Sequence, residues 1–180
     1  MVEVLFSVPM ILVYSGLFGI FAKIADLLDE HGLKWFRGSA VLFGVLWGIF
    51  FALLIISDNL VASFWIAILI HWILRRKIDY LNHGIAVSII LLVFIWNIPN
   101  FVIDWLVLLS VFVVYVAVGL LREFELVKQN WFVEYNSHGF VLLIALMIFN
   151  FQYWIILASF FVNTLFYQST KHIGEKYGYK

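Results

Sequence analysis

All eleven Lys and Arg residues fall in alternate polar breaks between apolar blocks. Lys23, Lys34 and Arg37 occupy the first break and Arg75, Arg76 and Lys77 the third. Arg122 and Lys128 occupy the fifth, and Lys171, Lys176 and Lys180 follow the last block. Basic residues beside membrane helices stay on the cytoplasmic side, so the pattern constrains both the number of spans and their direction. The acids are sorted less strictly. Glu3, Asp58 and Asp104 fall on the outer side and the other eight on the inner side.

The blocks themselves are long enough to cross a bilayer, which takes about 20 apolar residues. They predict spans over 4–22, 39–56, 60–74, 79–96 and 101–121, with outer turns at Asp58-Asn59 and 97–100. The last block, 139–168, reads as one tilted helix or as a hairpin broken at 150–153. The hairpin, beginning near Trp131, puts the three terminal lysines with the other eight bases, so seven spans are expected and six are the alternative. The fold class is an all-α polytopic transmembrane helix bundle in one domain, 1–180. It consists of one helix plus three hairpins, with the N-terminus outside and the C-terminus inside. Composition agrees: 65% of residues are hydrophobic and 12% charged, against about 45–50% and 25% in soluble domains. The N-terminal block lacks a basic leader and a small-x-small cleavage site, so it is expected to be a true first helix of a multi-pass cell-membrane protein.

His-Gly occurs at His31-Gly32, His83-Gly84 and His138-Gly139, at intervals of 52 and 55 residues. Each pair precedes an apolar hairpin and follows an acid, which suggests repeated hairpins over 31–77, 83–128 and 138–172. Gly44 and Gly48 form a G-x-x-x-G pair, suited to close helix packing within the chain or between two copies, and Gly16 and Gly19 suit a similar use. Trp and Tyr near span ends serve as interfacial anchors.

The inner face is where chemistry concentrates. Asp79 and His83, and Glu134 and His138, are four residues apart, the spacing of one helical face. A carboxylate and an imidazole so placed share a metal or a proton. With Asp26 and Asp29 from the first loop, they predict a metal set of Asp26, Asp29, Asp79 and His83, suited to Mg, Mn or Zn. Asp79, His83, Glu134 and His138 are the candidate acid–base groups, and Arg75, Arg76 and Lys77 the candidate phosphate ligands. The competing reading makes the acids helix caps and the bases topology signals.

The D-x-x-D of Asp26 and Asp29 resembles the Mg-diphosphate motifs of membrane prenyltransferases and CDP-alcohol phosphotransferases. The chain departs from the latter pattern, with Glu30 after Asp29 where Gly is expected, and no residue role carries over. The segment Lys77-Ile78-Asp79-Tyr80-Leu81-Asn82-His83 and the acidic first loop resemble those of small archaeal multi-pass membrane proteins, which implies a membrane fold and no particular activity.

No cysteine is present, so disulfide and thiol chemistry are excluded. The basic residues form no stripe, and no nucleic-acid partner is expected. Span interiors carry few ionisable groups, contrary to most ion-coupled carriers. The partners expected are the lipid bilayer and a lipid or small-solute ligand. Three readings follow in order. The first is binding or processing of a phosphorylated lipid at the cytoplasmic face. The second is a small transporter, channel or transporter subunit, with a cavity lined by His71, Ser110, Asn163 and Thr164. The third is a structural or assembly membrane protein.

Overall fold

A computed structural model describes residues 6–124 and 136–179. Lys128, Trp131, Glu134 and Lys180 lie outside the described residues. Within them are seven α-helices and no strand: α1 (Val8–Asp29), α2 (Ser39–Ser57), α3 (Asn59–Leu74), α4 (Leu81–Asn97), α5 (Trp105–Glu123), α6 (Ser137–Phe149) and α7 (Trp154–Lys176). The last apolar block is therefore two helices, separated by Asn150 and a 3-10 turn over Phe151–Tyr153. Helix α1, α2, α5 and the stretch Leu81–Asn100 are long and apolar enough to cross a membrane; α3 and α6 are shorter apolar helices.

Helix α3 forms the centre. Nearly all of it from Val61 to Leu69 is buried, as expected of a helix that is apolar all round. It packs on α2, α5 and α7, while α1 packs on α2 and α7, and α6 on α5 and α7. Small residues set the closest approaches. A Cβ at Gly44 would lie 2.8 Å from the Asn82 carbonyl oxygen, and one at Gly48 2.8 Å from the Ala86 Cα. The G-x-x-x-G pair is thus occupied inside the chain, by α4. Helix α4 buries one line of residues there, Asn82, Ala86 and Ile90. Gly19 meets the Asn163 backbone of α7 in the same way.

Three polar side chains in the middle of the bundle satisfy one another. Trp65 Nε1 donates to Ser159 Oγ at 3.1 Å. Ser15 Oγ donates to the Ile11 carbonyl, so the 2.8 Å contact between the two serines takes its proton from Ser159. The bundle has two unlike ends. One carries the turns between α2 and α3, α4 and α5, and α6 and α7. The other carries the basic connections.

Candidate functional site

Helix α1 does not stop where its apolar block does. It continues past Ala22 to Asp29 and ends at Gly32 (φ 79), where the Leu33 N–H closes back on the Leu27 carbonyl. The two added turns and the residue that caps them carry Lys23, Asp26 and Glu30. At about 100° per residue these three fall within one 60° stripe, whereas Asp29 is turned about 100° away from Glu30. Lys23, expected in a loop as a topology signal, is instead only 5% exposed.

His83, in the first turn of α4, reaches this stripe. Its Nε2 lies 3.1 Å from Asp26 Oδ1 and 3.7 Å from Glu30 Oε1. Ligand atoms of Asp26, Glu30 and His83 all lie within 4.8 Å of one another, a spacing that admits a metal ion. The surroundings orient them. Asp79, before the start of α4, places Oδ1 3.4 Å from His83 Nδ1. Tyr167 donates its hydroxyl to Asp26 Oδ2 at 2.8 Å, and Lys23 Nζ stands 3.9 Å from the same oxygen. Trp47 stacks edge-on against the imidazole, with ring centroids 6.2 Å apart. A carboxylate on the far nitrogen of a histidine is the arrangement that fixes ring orientation at metal centres. Burial raises the pKa of Glu30 above its ordinary value, and the charge of Asp26 adds to the shift.

The cluster lines a cavity of about 530 Å³ at the basic end. Its floor is apolar, with Phe18, Trp47, Trp65, Ile68, Val87 and Phe160. Lys23, Arg75, Lys77, Arg122 and Lys171 line it beside the carboxylates of Asp26, Glu30 and Asp79; Arg75 also pairs with Glu123 and Lys171 with Glu175. A second group, from α3, α5 and α6, lines the same cavity: His71, Tyr115 and His138. Tyr115 lies 5.8 Å from the His71 ring and 4.7 Å from the His138 ring, centroid to centroid.

The structure therefore joins Asp26, His83 and Asp79 of the expected residues, with Asp79 behind the imidazole. Glu30 stands where Asp29 was expected. His138 belongs to the second group, and its expected partner Glu134 lies outside the described residues. Of the phosphate candidates, Arg75 and Lys77 line the cavity. Arg76 takes a left-handed backbone conformation (φ 53) at the end of α3 and is exposed. Arg75 also pairs with Glu123, its Nε 3.2 Å from Oε1. Of the solute-cavity candidates, His71, Asn163 and Thr164 line the cavity and Ser110 does not; Ser110 bonds the Leu106 carbonyl of its own helix. The three His-Gly pairs have unlike surroundings. Gly32 ends a helix, Gly84 has open space beside it, and Gly139 packs on Tyr115 and Phe160.

Sequence reasoning missed Glu30, Lys23, Tyr115 and Tyr167. Glu30 had a usable signal, its i, i+4 spacing from Asp26, which was hidden by ending the first helix at Ala22. No family model, curated protein or solved structure matches the chain.

Proposed function

We propose that this chain is a multi-pass membrane protein that binds or processes a phosphorylated lipid at the cytoplasmic leaflet, with a divalent cation held by Asp26, Glu30 and His83. The observation that carries this reading is the convergence of those three donors on the wall of a cavity that is cationic at its mouth and apolar at its floor. Two carboxylates and an imidazole suit Mn, Zn or Mg. Two carboxylate charges neutralise the ion, and the Arg and Lys side chains of the lining suit an anion. A phosphate answers to both, because it meets those side chains and supplies oxygen ligands to the metal. The apolar floor takes the hydrocarbon part of the same molecule. The basic connections around the cavity support a cytoplasmic mouth, because Lys and Arg beside membrane helices are retained on that side.

The roles of the residues follow. His83 Nε2 gives up its contact with Asp26 and faces the ion, while Asp79 holds the proton on Nδ1. Tyr167 and Lys23 keep Asp26 turned toward the cavity. Arg75 and Lys77 meet the phosphate.

The test is Mn content and affinity of detergent-purified protein beside Asp26→Asn and His83→Ala variants, followed by titration with dioctanoyl phosphatidic acid with and without Mn. Near-stoichiometric Mn, lost in folded variants, and tighter lipid binding with Mn support the reading. Equal Mn binding by wild type and variants sinks it.

One observation favours a second reading, a carrier for a small anionic solute. The cavity reaches inward to Asn163, Thr164 and Trp65, the depth at which carriers hold their cargo. Phosphate uptake into proteoliposomes distinguishes the two.

A further inference from the structure

The second group in the cavity leaves more buried polar atoms unmet than the first, where Trp47 Nε1 is also without a partner among the described residues. His71 and Tyr115 are each only 7% exposed. Yet His71 Nδ1, Tyr115 Oη and His138 Nδ1 are all buried without a hydrogen-bond partner among the described residues. Buried polar groups are nearly always paired, so three orphans around one cavity wall point to a missing partner. Imidazole and phenol both donate, and the nearby charges say what they would donate to. Arg75 lies one turn beyond His71 on α3, and Arg122 lies two turns beyond Tyr115 on α5. Among the described residues, the carboxylate on this side, Glu123, is half exposed and pairs with Arg75. Asp26, Glu30 and Asp79 belong to the other group.

Two glycines keep the wall closed up. A Cβ at Gly119 would fall on Arg75 Nη1, and one at Gly139 would lie 2.5 Å from Tyr115 Oη. Larger residues would push Arg75 and Tyr115 out of their present positions.

We propose that His71, Tyr115 and His138 form a second subsite of this cavity, one that takes an oxyanion of the phosphate class by hydrogen bonds and needs no metal. Arg75 and Arg122 supply the countercharge at its rim. The inference rests on reading the cavity as a site for a phosphorylated ligand, and it names the residues that hold the end of that ligand away from the metal. Neutral donors in a low-dielectric wall bind an oxyanion more strongly than they would in water.

The experiment uses the full chain in detergent with EDTA present. Inorganic phosphate, dioctanoyl phosphatidic acid and uncharged dioctanoylglycerol are titrated in turn, with tryptophan fluorescence as the readout. Saturable binding of a phosphate-bearing probe, and none of dioctanoylglycerol, is expected. If phosphatidic acid alone saturates, the source is a lipid headgroup; if inorganic phosphate also saturates, the phosphate group suffices. His71→Phe and His138→Phe are expected to bind about ten-fold more weakly, which is the loss of one hydrogen bond to a charged group, and His71→Asn to recover most of the loss. Should a Phe variant fail to fold, Tyr115→Phe, which removes only a hydroxyl, makes the same comparison. No saturable binding in EDTA, or unchanged binding by the folded Phe variants, overturns the proposal. Wild type that binds phosphate but no Mn sinks the metal site alone, and wild type that binds Mn but no phosphate in EDTA sinks this subsite alone.

Discussion

The two ends of the bundle treat polar groups in opposite ways. At the turn end they are paired with one another. Asp58 caps α3, accepting from Leu60 N and Val61 N. Asp104 caps α5 through Val107 N and also accepts the Tyr153 hydroxyl at 3.1 Å. Ser63 accepts from Asp104 N, Asn59 from Val102 N, and Asn150 from Gln152 N. At the basic end the reverse holds. The buried side-chain atoms without a hydrogen bond among the described residues are Trp47 Nε1, His71 Nδ1, Asn82 Nδ2, Tyr115 Oη and His138 Nδ1, together with His83 Nδ1, which faces Asp79 Oδ1 at 3.4 Å. Five of those six residues line the cavity and Asn82 adjoins His83. Unpaired buried groups cost stability, so pairing them at one end and leaving them at the other is what a fold with its proposed site at the basic end would show.

The sharpest way to break this contrast is to delete a residue from each end. Asp26→Asn at the basic end is expected to weaken Mn binding by roughly 100-fold or more while leaving the melting temperature in EDTA near that of wild type. The fold increment is that of a lost charged ligand, about 3 kcal/mol. Asp104→Ala at the turn end is expected to do the opposite. It strips the cap of α5 and the partner of Tyr153, for a loss of about 2 kcal/mol, read as a fall of roughly 4–8 °C. Mn affinity should not change. If Asp26→Asn unfolds the protein, or Asp104→Ala weakens Mn, the division between the ends is wrong.

The contrast also marks what the sequence made legible. Apolar block length and the sorting of Lys and Arg exposed the helices, because hydrophobic spans and charge placement are local signals. The break near Asn150 followed from the polar residues there, from the placement of the terminal lysines and from the His-Gly repeat. Asp79 and His83 were legible as a pair by spacing. Glu30 was not, because the helix carrying it runs two turns past the end of its apolar block, and helix length beyond an apolar block leaves no hydropathy signal. Tyr115 and Tyr167 were hidden for a different reason. They reach the cavity only through packing between helices distant in the chain, where Gly139 and the α1–α7 contact decide which aromatic ring turns inward.

A milder substitution tests the orienting layer. Tyr167→Phe keeps the ring and removes the hydroxyl that holds Asp26 at 2.8 Å. Groups behind a metal ligand typically contribute 10–100-fold to affinity, so a loss near the lower end, about 10-fold, is expected by Mn titration. Because a hydroxyl is replaced by hydrogen in a packed site, the melting temperature should stay within about 2 °C. Unchanged Mn affinity would mean that Asp26 needs no support from α7.

The smallest effect is the most diagnostic of a site kept at a cost. Burial and the neighbouring Asp26 raise the pKa of Glu30 above its ordinary value. The folded state therefore favours neutral Glu30 more than the unfolded chain does. Its stability is fully present below the ordinary Glu pKa and is lost as pH rises through the raised one. At neutral pH the ionised carboxylate works against the metal-free fold. Glu30→Gln removes that charge and is expected to raise the melting temperature in EDTA by about 1–3 °C, with the gain vanishing as the pH falls through the Glu range. Excess Mn should reverse the order, since a bound ion stabilises wild type by an amount that grows with the logarithm of its concentration over Kd, and the Gln variant lacks one of the three ligands. A crossing of the two melting curves on adding Mn would show that Glu30 is retained for the ion. A Gln variant less stable than wild type in EDTA would instead make Glu30 part of what holds the basic end together, and the distinction between the two ends would fail at its centre.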